Sequence, residues 1–145
     1  MSKNKGFTLI EVLIAMLVLA VGLLGLAGLQ ATSLKNNQSA YSRSQATQMA
    51  YDIIDRMRAN VAGISTYATN VATVNANCLN TTGCISGDMA KNDLSEWTSA
   101  ITNTLPNGTG TIAVAAGIYT ITITWDDDHD GNADNNPSFQ TSFKL

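Results

Sequence analysis

Positive charge is scarce in this chain: eight lysines and arginines stand against eleven acidic residues in 145, a formal net charge of −3 at pH 7. No basic stripe exists to neutralise phosphates, which excludes nucleic acid as a partner class. Histidine is limited to His129 and cysteine to Cys78 and Cys84. Two thiols alone make a poor metal site, and a lone histidine in a turn carries neither a zinc nor a catalytic role. Nucleophile-elbow, phosphate-loop and metalloprotease motifs are missing, so the sequence reads as a non-enzyme. Proline occurs only at 106 and 137, and nothing interrupts a helix between Phe7 and Asn60.

What the chain does have is one long apolar run, from Phe7 to Leu29, opened by Gly6 and broken only by Glu11. Between Glu11 and Lys35 lie 23 uncharged residues. At helical rise that length covers roughly 35 Å, enough to cross a hydrocarbon core of about 30 Å. The remaining ~110 residues suffice for one small domain and not for two. Lys3 and Lys5 precede the run and place the first six residues in the cytoplasm by the positive-inside rule. A cleaved secretory signal fits badly, because the run is about twice the usual 7–15-residue core and no A-x-A-like site follows it. A plain anchor would account for the lysines but not for Glu11, since an ionised carboxylate inside a spanning helix costs on the order of 2.5–3.5 kcal/mol. A cut between Gly6 and Phe7 would create an α-amino group one helical turn before Glu11, on the same chain or a neighbouring one, and give the acid a cationic partner.

The stretch Lys5-Gly6-Phe7-Thr8-Leu9-Ile10-Glu11-Val12 resembles the class III signal of type IV prepilins and type II secretion pseudopilins. The resemblance implies that a prepilin peptidase cuts after Gly6, that Phe7 becomes the methylated N-terminus, and that Glu11 neutralises the N-terminus of an adjacent subunit. It also implies other pilin subunits and an inner-membrane assembly platform as partners. The longer run to Gln30 looks more particularly like that of a minor pilin. Gly22, Gly25 and Gly28 recur every third residue within it. They either let neighbouring helices approach or loosen the helix, as in assembled filaments of similar pilins.

Past Leu34 a helical rhythm persists in polar company. Ala46, Met49, Ala50, Ile53, Ile54, Met57 and Val61 share one face, while Ser44, Gln48, Asp52, Asp55, Arg56 and Arg58 occupy the other. One helix of about 50 residues is the economical reading, with Gly63 as its stop. A coiled coil is the rival, but the stripe is too short for several heptads. Residues 63–87 show no period and read as an irregular connection, stapled by a Cys78–Cys84 disulfide in an oxidising compartment, with a free thiol pair as the alternative. From Asp88 to Leu105, Leu94, Trp97, Ile101 and Leu105 fall on one face of a second helix, capped by Ser86 or Asp88 and ended before Pro106, with Trp97 as a core anchor. Strand patterns follow: Thr111–Ala115, a turn at Ala116-Gly117, and Ile118–Trp125 with Tyr119, Ile121, Ile123 and Trp125 on one face. Phe139, Thr141, Phe143 and Leu145 alternate again.

Between the last two strands lies Asp126-Asp-Asp128-His-Asp130-Gly131-Asn132-Ala-Asp134. The spacing sets Asp126, Asp128, Asp130 and Asp134 at positions 1, 3, 5 and 9 of an EF-hand-like calcium loop, with the Asn132 carbonyl at position 7 and Gly131 at the sharp turn. Pro137 stands where the bidentate glutamate would be, so the affinity for calcium is expected to be modest; a solvated acidic turn is the alternative.

These readings combine into an α+β fold of the type IV pilin kind: a long N-terminal helix packed on a small antiparallel sheet, with a second short helix. The expected organisation is a cleaved cytoplasmic leader at 1–6, a transmembrane and filament-core half at 7–34, and a periplasmic head at 35–145. The expected function is a minor pilin, held in the inner membrane as a single-pass protein and then carried to the pilus and cell surface to support assembly, initiation or adhesion. A minor pseudopilin of a type II secretion system, or a membrane-anchored calcium-binding module, are the alternatives.

Overall fold

The computed structural model describes residues 6, 8–81, 83–132 and 136–145. Helix α1 runs without a break from Leu9 to Ala59, 51 residues, as the missing proline allows. Thr8 begins it by accepting the amide protons of Glu11 and Val12 on its carbonyl, at 3.1 and 3.3 Å. The chain divides into two units, Met1–Ser39 and Ala40–Leu145, somewhat later than the boundary at 34/35 drawn from composition. In the first unit every residue from Leu9 to Gln38 is exposed. Its apolar part, residues 9–29 with Glu11 as the one charge, is the kind of exposed surface that lipid or other helices cover.

In the second unit α1 turns one stripe inward: Ser42, Ala46, Ala50, Ile53, Ile54 and Met57 are buried, with Met49 packed beside them. Val61, expected on the same stripe, is 53% exposed. The helix has ended two residues earlier, and the tight turn Val61–Gly63 shifts the phase. Gly63 is therefore not the stop of α1. It is glycine because a Cβ there would lie 2.4 Å from the carbonyl oxygen of Ser86. A short helix α2, Ile64–Tyr67, and a second tight turn, Ala76–Leu79, occupy the stretch expected to be irregular. The Cys78–Cys84 disulfide closes a loop there.

Helix α3 spans Ser86–Thr104 and buries Leu94, Trp97 and Ile101 on the predicted face. Its N-cap is Ile85, which makes no side-chain cap bond. The expected capping by Ser86 or Asp88 is absent because both lie inside the first turn. The strands β1 (Thr109–Ala115), β2 (Ile118–Thr124) and β3 (Ser138–Lys144) form an antiparallel meander in that order. Ile112 pairs with Ile121, and Ile123 with Phe139. The β1–β2 turn has positive φ at both central residues, Ala116 (50°) and Gly117 (76°), the geometry that matches the twist of a tight hairpin. Trp125 is buried just past β2, whereas Leu145, beyond β3, is half exposed.

One continuous core joins α1, α3 and the sheet, with Trp97 and Trp125 its largest members. Trp97 lies against β1 at Gly110, where a Cβ would sit 2.5 Å from the indole ring. Its Nε1–H donates to the Met49 carbonyl at 2.9 Å, tying α3 to α1.

Candidate functional site

The N-terminal site begins at Gly6, which is exposed. A Cβ there would meet nothing within 4 Å. The described neighbours thus leave room for a side chain at this position. Phe7, together with Lys3 and Lys5, lies outside the described residues. Glu11 sits in the first turn of α1, where the helix dipole favours an acid. It shares one exposed face of α1 with the apolar Val12, Ala15, Met16 and Leu19. The segment carries no other charge as far as Lys35. Gly22, Gly25 and Gly28 are helical and open on their outer side.

The acidic loop brings three of its predicted residues together. Asp126, Asp128 and Asp130 each offer a carboxylate oxygen, and these oxygens lie within 4.8 Å of one another. Asp126 is the inner member, 2% exposed. Its Oδ1 accepts the His129 amide at 2.7 Å, and its Oδ2 accepts the Gly131 amide and the Asn107 side-chain amide, both at 3.1 Å. Burial works against its charge, but the bonds from Gly131, Asn107 and His129 outweigh that and hold the carboxyl below the usual range. Gly131 has φ of 77°, which the tight loop requires. Asp130 is engaged by Asn132 through both its amide N–H, at 2.7 Å, and its side chain, at 3.0 Å. Asp127 instead accepts from Trp125 Nε1 at 3.1 Å, and the side chain of His129 is exposed. Asp134, the position-9 candidate, lies outside the described residues. Three converging hard oxygens have the chemistry of a calcium shell.

A third cluster escaped sequence reasoning. Arg56 of α1 reaches Asp52 at 3.0 Å on its own helix, and Asp93 at 3.2 Å and Glu96 at 2.7 Å on α3. Burial disfavours the guanidinium charge, yet Glu96, Asp52 and Asp93 together raise its affinity for the proton. The Tyr67 hydroxyl donates to the other oxygen of Asp93; burial, and then this bond, push the phenol above its ordinary range. Asn92 joins by donating to Glu96 at 3.0 Å and accepting the Asn75 amide at 3.0 Å. The arrangement is a polar lock between helices, and no local signal in the sequence pairs Arg56 with Asp93 and Glu96.

The prokaryotic N-terminal methylation motif matches residues 1–27. The Tt1218-like family, described as Type IV pilin Tt1218, matches residues 28–95, which carry the rest of α1, the disulfide loop and the Arg56 lock as far as Asp93. No curated protein and no solved structure matches the chain. An N-terminal methylation motif, an apolar helix continuing into the stripe of a small α+β unit, and two abutting family matches over residues 1–95 make this chain similar to type IV prepilins.

Proposed function

We propose that the protein is a minor pilin of a type IV pilus, similar to the pilus-modification pilins of the PilV type. It is held as a single-pass inner-membrane protein and then built into the filament, where it supports assembly, initiation or surface adhesion. The observation that carries this reading is Glu11: one acid on a helix segment that is exposed throughout and otherwise uncharged. An acid on such a surface needs a cation from outside the segment once lipid or other helices cover it. The α-amino group of Phe7 on an adjacent subunit, freed by prepilin peptidase after Gly6, is the partner that the resemblance supplies. Gly6 fits the same account, since no described neighbour crowds a side chain there and a peptidase would still need the glycine. The test is Gly6→Ala in cells that make pili. Uncut protein absent from sheared pili is the expected result, and normal processing with normal incorporation would overturn the reading. A pseudopilin of type II secretion shares every one of these features. It is distinguished by deletion, which removes surface pili on the first reading and protein secretion on the second.

For the acidic loop we propose a weak calcium site, supported by the convergence of Asp126, Asp128 and Asp130. Isothermal titration of the detergent-solubilised protein with calcium should show binding that Asp128→Asn weakens. Neither heat nor a rise in melting temperature at millimolar calcium would retire it.

A further inference from the structure

We draw no further inference here: the strongest candidate, the polar cavity between the acidic loop and the paired strand ends Thr109 and Thr124, lined also by Asn107, Gly131, Asn132 and an Asn136 whose buried Oδ1 has no hydrogen-bond partner, carries nothing, because residues 133–135 between two of its lining residues lie outside the described ones, a single water would satisfy that oxygen, and nothing in the structure shows what else would fill the space.

Discussion

Asn70 and Ile112, 42 positions apart, form a two-point bridge in which the asparagine side chain satisfies the strand residue's N–H and C=O, at 2.8 and 2.9 Å. Ile112 is 2% exposed, so neither backbone group has ready access to water. Asn70→Ala should cost about 1–3 kcal/mol, the usual penalty for stranding buried polar groups. Chemical unfolding measures it, and faster hydrogen exchange at the Ile112 amide should accompany the loss.

Ala116 is held at φ of 50° in the β1–β2 turn, where a Cβ is unfavourable. Ala116→Gly relieves this at an exposed site and should raise stability by about 0.5–1 kcal/mol, despite the added freedom of the unfolded chain. An upward shift of the urea midpoint at constant slope is the expected readout.

Stability should fall on the acid side. The hydrogen bond from Arg56 is the chief cause that lowers the Glu96 carboxyl, and Asp126 is lowered by its three donors against burial. A carboxyl lowered in the folded state adds stability above its unfolded value, near 4, and loses it as pH drops through the lower folded value. Tyr67 has the opposite sign: raised by burial and by Asp93, it adds stability below about pH 10 and loses it as pH rises further. Melting temperature against pH should therefore show a plateau with two falling limbs. Tyr67→Phe should flatten the alkaline limb and leave the acid limb in place.

The disulfide closes a short loop, with six residues of separation between Cys78 and Cys84. Chain-entropy arguments give about 2 kcal/mol for so small a ring. Replacing both cysteines by serine should lower stability by that order while α3 remains folded, seen as a retained near-ultraviolet signal from buried Trp97.

The long helix was legible from an apolar run without proline, and the strands from strict alternation through Tyr119, Ile121 and Ile123. Those signals are local, and local periodicity carries burial. Glu11 draws notice for a different reason, since a lone acid in a membrane-length run has few physical excuses, and the roles given to Glu11 and Gly6 are proposals that rest on the resemblance. Tyr67, Asn70, Asn92 and Asp93 were not legible. They lie in a Thr- and Asn-rich stretch or beside an apolar stripe, and each owes its place to a partner far along the chain, as Asp93 does to Arg56, 37 positions earlier. The missing cap at α3 and the exposure of Val61 share a cause: helix ends are set by the packing of the next turn, which composition does not report. In the acidic loop the spacing anticipated that Asp126, Asp128 and Asp130 converge, but not that Asp126 would be buried and held by Asn107 from the preceding turn.

Mass spectrometry of the N-terminal peptide, from protein made in its own cells and recovered from sheared pili, tests the central claim most directly. The account predicts a chain that begins at Phe7 with one methyl group on its α-amine. A chain recovered with Met1 through Gly6 still attached, or one cut beyond Leu29 so that Glu11 is lost, would contradict it.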